Sequence, residues 1–333
     1  MEAKSLKHIV ILATGGTIAG KAGSALQMTG YQAGAFSVQD LLDSVPGLDA
    51  HAKISGEQLC NIGSQDMQDA IILQMAQRCN ELLAQNDVDG IVITHGTDTM
   101  EESAYFLNLT VKSSKPVVMV GAMRPATAMS ADGPLNLLNA VKVAAEDASV
   151  GKGVLLVMND CIYGGRDVTK TNTTNVATFH ATNGGALGYI TGGKVQYYYA
   201  PLRLHTVATE FDVAGVTQLP RVDILYSHAN DDGILAEAAV AAGAQGIVYA
   251  GSGMGSLHAG CEAALAAAIA KGVAVVRSSR TGSGVVVESK KAWTEMGILD
   301  GDNLNPQKAR ILLQLALCVT KDRDAIREIF GKY

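Results

Sequence analysis

The chain of 333 residues has little charge, few aromatic side chains and no long apolar run. Charged residues make up 17% and aromatic residues 5%. The net charge is −6, and the sequence has no basic cluster. A chain of this charge is poorly suited to nucleic acid or to an anionic membrane surface. No stretch approaches the ~20 apolar residues of a membrane span. We therefore expect no nucleic-acid partner and no membrane partner.

Cysteine and histidine are too scattered to predict a disulfide framework or a metal site. The five cysteines are odd in number, widely spaced and form no CxxC pair, which argues against both. The seven histidines form no HxH or HExxH motif, so we expect no metal. Free thiols favour a reducing compartment, and the N-terminal residues make a poor signal peptide. We expect a cytoplasmic protein, or a periplasmic one if a leader was removed before residue 1.

What the sequence has is abundant apolar residues, 48% of the chain, in a regular alternation. Short apolar runs typical of buried strands alternate with segments of helical periodicity. This alternation predicts an α/β protein with a mostly parallel sheet flanked by helices. A second pattern of the same kind follows the weakly periodic stretch 204–220. We predict a larger N-terminal domain over residues 1–203, a linker over 204–220 and a smaller C-terminal α/β domain over 221–333.

The first predicted strand, residues 9–13, leads into a turn that carries Thr14 and Thr17 between glycines. A hydroxyl just past a strand of an open α/β sheet lies where ligands usually bind, which makes Thr17 a candidate nucleophile. Residues 15–21 also fit GxxxxGK, most of a nucleotide-binding P-loop, with Asp160 as a candidate carboxylate near its magnesium. Residue 22 is Ala where a P-loop needs Ser or Thr. A nucleophile, a phosphate loop and a plain turn all stay open for this stretch.

Polar residues follow the second predicted strand, residues 90–94. Thr97 and Asp98 would lie at the same sheet edge as Thr17, although Asp98 and Glu101 also have the spacing of a capping box. Lys170 is either a solvated surface lysine or, beside a threonine and a carboxylate, a group that takes part in proton transfer.

Four further polar residues have the same ambiguity between a structural and a functional role. Ser64 stands just before a predicted helix over 65–85, so Ser64 is either its N-cap or, with Gln65, a substrate ligand. Tyr31 lies in a glycine-flanked loop, where exposed tyrosines are ordinary. His95 follows a strand and is a tempting base, but a lone histidine at such a position is usually structural.

Taken together, these motifs identify a family. The turn ATGGTIAG at 13–20 and the stretch ITHGTDTMEE at 93–102 closely resemble the two signatures of bacterial-type L-asparaginases. The resemblance continues, in order and over nearly the whole chain, through residues 56–58, 62–67, 120–125, 129–134, 165–174, 277–280 and 304–310. The pattern is similar to the high-affinity, type II branch.

The resemblance implies hydrolysis of L-asparagine to L-aspartate and ammonia without a cofactor, with weaker L-glutaminase activity. It implies a homotetramer, a dimer of intimate dimers, in which each site is completed by a neighbour's C-terminal domain. It matches Thr17 to the nucleophile and Tyr31 to a loop tyrosine that closes over it. It matches a second catalytic set to Thr97, Lys170 and Asp98. It matches the groups that hold the substrate's α-carboxylate and α-amino groups to Ser64, Gln65 and Asp98.

The chain departs from the family pattern at Met254, in the loop lengths around Glu288, and at Ser113. Many members have an asparagine where Met254 stands, and Ser256 is the residue we expect to replace it. The glutamate of the mobile C-terminal segment corresponds to Glu288. Ser113 stands where some periplasmic members have a disulfide cysteine. The related dual-specificity glutaminases carry a glutamate at the position of Gln65, so we expect asparagine to be preferred here.

Overall fold

The computed structural model of the chain describes residues 5–20, 23, 24, 26, 30, 34 and 37–333. It divides into two compact units, Met1–Gly215 and Val216–Tyr333. The first, larger unit contains a mostly parallel sheet, and the second is a smaller α/β unit. The predicted fold class is therefore confirmed, whereas the predicted linker over 204–220 stays a prediction.

An eight-stranded sheet forms the first unit, and its central strands are completely buried. The strands are β1 (His8–Gly15), β2 (Lys53–Ile62), β3 (Gly90–Thr94), β4 (Val117–Val120), β5 (Val154–Met158), β6 (Cys161–Gly164), β9 (Gly188–Thr191) and β10 (Lys194–Tyr197). Their order across the sheet is β10-β9-β6-β5-β4-β3-β1-β2. The five strands from β5 to β2 in this order, including β1, are parallel to one another. The pairs β5–β6, β6–β9 and β9–β10 are antiparallel. Apolar runs mark strands that are covered on both faces. A separate two-stranded ribbon pairs β7 (Thr169–Lys170) with β8 (Phe179–His180).

The helices of the first unit cover this sheet. They are α1 (Val38–Asp43), α2 (Asp69–Leu83), α3 (Met100–Thr110) and α4 (Gly133–Ala145). Leu137 and Val141 of α4 pack in one core with Val92 and Val118 of β3 and β4. The predicted helix over 65–85 begins later than expected because Ser64–Asp66 form a single 3-10 turn and Met67 is extended.

The second unit contains a four-stranded parallel sheet. Its strands, in spatial order, are β11 (Val222–Tyr226), β12 (Gly246–Gly251), β13 (Ala274–Ser279) and β14 (Leu299–Asp300). Its helices are α5 (Ile234–Ala241), α6 (Ala259–Ala270), α7 (Lys291–Met296), α8 (Pro306–Val319) and α9 (Arg323–Lys332). Ile247, Val275 and Leu265 are buried in its core. Across the described residues of both units, no helix has the length and apolarity needed to cross a bilayer.

Candidate active site

Two glycine turns meet at the carboxyl edge of the large sheet. β1 and β3 are parallel neighbours, with Ala13 beside Thr94, so the turns that leave them lie side by side. Gly16 has φ of 80°, and a Cβ there would lie 2.4 Å from the Gly96 backbone nitrogen. A Cβ on Gly96 would lie 2.6 Å from Ser64 Oγ. Glycine is therefore required at both turns, and the close approach brings the hydroxyls that follow them together.

A pocket of about 520 Å³ opens at this edge. It is lined by six of the residues that the sequence predicts, namely Thr17, Ser64, Gln65, Thr97, Asp98 and Lys170. The other polar side chains that line it are Arg124, Thr173 and Thr174. The pocket thus combines hydroxyls, an amide, a carboxylate and two cationic groups, a set suited to a small polar molecule of mixed charge.

Lys170 reaches from the β7–β8 ribbon to the turn after β3. Its Nζ donates to Thr97 Oγ1 at 2.9 Å and to Asp98 Oδ1 at 2.6 Å. Its side chain is only 17% exposed, so the surface-lysine interpretation is wrong. Asp98 does not cap α3 either, since Thr99 is the N-cap residue and makes no side-chain cap bond. The three groups form one connected hydroxyl, ammonium and carboxylate set.

Ser64 is buried and joins two loops rather than capping a helix. Its Oγ accepts the Asp98 N–H at 3.0 Å, and its carbonyl accepts from Thr99 Oγ1 at 2.8 Å. The N-cap residue of α2 is Gln68, so the N-cap interpretation of Ser64 is wrong. Because Oγ acts as acceptor toward Asp98, its own hydrogen remains able to donate into the pocket.

Thr17 begins a single 3-10 turn, Thr17–Ala19, that follows Gly16 and is buried. The Gly16 N–H donates to Ile62 O at 2.9 Å, which anchors the turn on β2. Gly20 is extended, with φ of −87° and ψ of 146°, whereas a P-loop would turn into a helix here. Asp160 accepts a hydrogen bond from Asn139 Nδ2 at 2.7 Å and so has a structural partner. The phosphate-loop interpretation finds no support in this geometry.

Two family profiles together match almost the whole chain. "Asparaginase, N-terminal" matches residues 8–203, and "Glutaminase/Asparaginase C-terminal domain" matches residues 221–330. The chain belongs to the glutaminase/asparaginase family.

Individual members are similar to the chain over most of their length. It is 53% identical to L-asparaginase 2 of Escherichia coli (strain K12), over 99% of this chain and 94% of that protein. It is 52% identical to L-asparaginase 2 of Bacillus subtilis (strain 168), over 100% and 88%. The crystal structure of a probable cytoplasmic L-asparaginase from Campylobacter jejuni matches with a TM-score of 0.96 at 49% identity, covering 98% of this chain and 100% of that one.

His95 is a buried neighbour of the turn that carries Thr97 in this asparaginase-family chain. Its side chain is fully buried, and burial lowers its pKa to about 4. Nδ1 lies 2.7 Å from Gly96 O and Nε2 lies 3.0 Å from Ser103 Oγ. A neutral ring with its proton on Nδ1 satisfies both contacts, donating to the carbonyl and accepting from the hydroxyl. His95 is therefore structural, and it fixes the turn that presents Thr97.

The loop after β4 contributes a pocket residue that the sequence analysis did not single out. The Asp132 carboxylate accepts the N–H groups of Met123 and Arg124, both at 2.9 Å, and Arg124 Nη1 donates to Ser130 O at 2.8 Å. This loop follows a buried parallel strand, so its position at the carboxyl edge was a usable signal for Arg124. Thr174 owes its place to a local turn in which the Asn172 side chain accepts its N–H at 3.0 Å.

The remaining predicted residues do not belong to the pocket of described residues. Tyr31 lies outside the part of the chain that the structure describes. Ser256, Glu288 and Met254 belong to the second unit and are exposed, whereas the pocket is lined by residues of the first unit. In the described residues no group of three or more His, Cys, Asp and Glu side chains could hold a metal ion.

Proposed function

We propose that this chain hydrolyses L-asparagine to L-aspartate and ammonia without a cofactor, with weaker activity on L-glutamine. Membership of the glutaminase/asparaginase family supports the reaction. The observation that carries the proposal is the contact of Lys170 with Thr97 and Asp98 in the pocket that Thr17 also lines. Two hydroxyls and a lysine–carboxylate pair thus converge on a cavity large enough to hold an amino acid.

The pocket walls match the two charges of an amino-acid zwitterion. Asp98 uses Oδ1 to accept from Lys170, and its side chain remains 57% exposed, so Oδ2 can bind the α-ammonium group. The Ser64 O–H can donate to the α-carboxylate, because its lone pair already accepts the Asp98 N–H. Gln65 adds an amide at the same wall. Binding both ends of the backbone fixes where the side-chain amide lies.

In the reaction we propose, Thr17 Oγ1 attacks the side-chain amide carbon and forms a tetrahedral oxyanion. The attacking hydroxyl gives up its proton, and the amide nitrogen gains one and leaves as ammonia, which leaves a β-aspartyl ester on Thr17. Water then attacks this ester, restores the Thr17 hydroxyl and releases L-aspartate. A hydroxyl is a weak nucleophile until a neighbouring group takes its proton. Tyr31 is our proposed partner for Thr17 on the loop side.

The set Thr97, Lys170 and Asp98 is proposed to move protons. Lys170 Nζ lies within hydrogen-bond distance of both partners, so a proton can pass between the lysine and the Thr97 hydroxyl, which faces the pocket. The oxyanion needs donors from the same turns. The N–H groups of Gly16 and Asp98 already donate to Ile62 O and Ser64 Oγ, so the stabilising donors must be others of these turns.

The assembly and location that the family resemblance implies are part of the same proposal. We propose a homotetramer, a dimer of intimate dimers, in which Ser256 and Glu288 complete a neighbour's substrate site. We also propose a cytoplasmic location, because all five cysteines are free and free thiols suit a reducing compartment. Mass measurement of the native assembly and cell fractionation test these two statements.

The activity is tested by measuring ammonia and L-aspartate released from L-asparagine by the purified wild-type chain. We expect both products in equal amounts, without added metal or nucleotide. Lys170→Met should lower kcat by ~10²-fold or more, the usual contribution of a proton-transfer group, and Lys142→Met is a matched control from outside the pocket. Failure of the wild-type chain to release ammonia would overturn the proposal, and an unchanged rate in Lys170→Met would remove Lys170 from it.

A further inference from the structure

Glu101 is a buried carboxylate beside the Lys170 set to which the proposed reaction gives no role. It lies in the first turn of α3 with only 3% of its surface exposed. Its Oε2 accepts the backbone N–H of Lys170 at 2.6 Å, across 69 residues of sequence. The capping box predicted from its spacing with Asp98 does not form. Glu101 therefore serves a long-range contact instead of a local one.

The segment that carries Lys170 belongs to a short ribbon and not to the large sheet that carries Thr97. β7 is two residues long and pairs with β8, in a ribbon separate from the eight-stranded sheet. Thr97, by contrast, follows a completely buried central strand. The distance between the lysine and Thr97 thus depends on how firmly this ribbon is tied to the start of α3, and the bond between Glu101 and the Lys170 N–H ties the two backbones.

This bond has the chemistry of a persistent clamp. A carboxylate that accepts a backbone N–H forms a charge-assisted hydrogen bond, about twice as strong as a neutral one. The N-terminal turn of a helix also favours a negative charge. Burial keeps water from competing for the Lys170 N–H. A misplacement of a reacting group by about 1 Å can cost ~10²-fold in rate, so a clamp on the lysine backbone bears directly on turnover.

We propose that Glu101 is a positioning residue that holds Lys170 in reach of Thr97. The inference rests on the proposed function and deepens it. Glu101 acts through the lysine backbone and has no contact with substrate in this role. Its removal should therefore lower kcat while leaving the KM for asparagine nearly unchanged, since the proposed substrate ligands Ser64 and Gln65 line the pocket from another loop.

The test is a double-mutant cycle with Glu101→Gln, Glu101→Ala and Lys170→Met in the full chain, measured by ammonia release from L-asparagine. Glu101→Gln keeps the shape and an acceptor oxygen but removes the charge, and we expect about a tenfold loss of kcat. Glu101→Ala should cost ~10²-fold with KM within about twofold. In the Lys170→Met background, both changes should cost less than about threefold, because the group they position is gone. Glu102→Ala, the neighbouring carboxylate of the same turn, is the matched control and should keep wild-type kcat.

The outcomes separate this inference from the function on which it rests. The positioning role would be overturned if the Glu101 substitutions lowered kcat by the same factor in the wild-type and the Lys170→Met chains. A rise in KM without loss of kcat would overturn it as well. In both cases the proposed function stands. If Glu101→Ala does not fold, Glu101→Gln decides alone: wild-type kcat in that variant overturns the inference. A wild-type chain that releases no ammonia overturns the proposed function and this inference together.

Discussion

The buried His95 makes the stability of the fold depend on pH in a way that can be calculated. In the folded chain its pKa is lowered from 6.5 to about 4 by burial. In the unfolded chain, the exposed imidazole binds a proton as the pH falls below about 6.5. The unfolded state is therefore favoured progressively as the pH falls from about 6.5 to about 4. The stability that depends on a neutral His95 is fully present only above this range.

The size of the effect follows from linkage between protonation and folding. For one group with these two pKa values, the free energy of unfolding falls by about 2 kcal/mol at pH 5 and about 3 kcal/mol at pH 4, relative to neutral pH. The pH alone is the perturbation, and His95→Gln isolates the group, since it removes the imidazole while leaving a polar side chain. His51→Gln, which removes an exposed histidine of the same unit, is the matched control.

Urea unfolding of the three proteins at several values between pH 7 and pH 4 is the assay. We expect His95→Gln to be less stable than wild type at pH 7 and the gap to shrink by about 2 kcal/mol at pH 5. The His51→Gln protein should follow the wild type. If the gap between His95→Gln and wild type stays constant across this range, His95 is not held neutral by burial and the reasoning fails.

Three further predictions test the turns, the selectivity and the assembly. Gly16→Ala should abolish measurable ammonia release and lower the melting temperature, because its Cβ would lie 2.4 Å from the Gly96 backbone; a normal rate would contradict this. Asparagine should be preferred over glutamine by roughly 1–3 kcal/mol in kcat/KM, since the site must accommodate one more methylene; equal values would refute the role assigned to Gln65. Thr17→Ala subunits refolded together with Ser256→Ala subunits should form mixed tetramers with more activity than the sum of the two variants assayed separately, because some shared sites would combine two intact halves. If mixed tetramers verified by mass have only that summed activity, the sites are not shared.

The sequence predicted best those parts of the fold that are buried on both faces. β3 is confirmed at Gly90–Thr94, where the apolar run leaves little ambiguity. β2 was missed because it lies at the sheet edge and is partly exposed along its length, so its polar residues hide the strand. The short pair β7–β8 was missed because two-residue strands leave no periodic pattern.

Some residues of the candidate site could likewise be predicted from the sequence, and others could not. Thr17 and Thr97 could be placed at one sheet edge because both follow parallel strands, and this rule needs no tertiary detail. The contact of Lys170 with Thr97 spans 73 residues, and nothing local distinguishes that lysine from a surface one. The sequence offers Glu101 only as part of a capping box, because a capping box and a long-range contact use the same residue at the same place in a helix.

The central claim is that Thr17 is the nucleophile, and comparison of Thr17→Ala with Thr17→Ser tests it most directly. Ammonia release from L-asparagine is measured for both variants, with circular dichroism and native mass to show that each is folded and assembled. We expect Thr17→Ala to lose on the order of 10⁴-fold or more in kcat, as removal of a nucleophile does elsewhere. Thr17→Ser should retain clear turnover because it keeps the hydroxyl. Turnover of Thr17→Ala within tenfold of wild type would contradict the account.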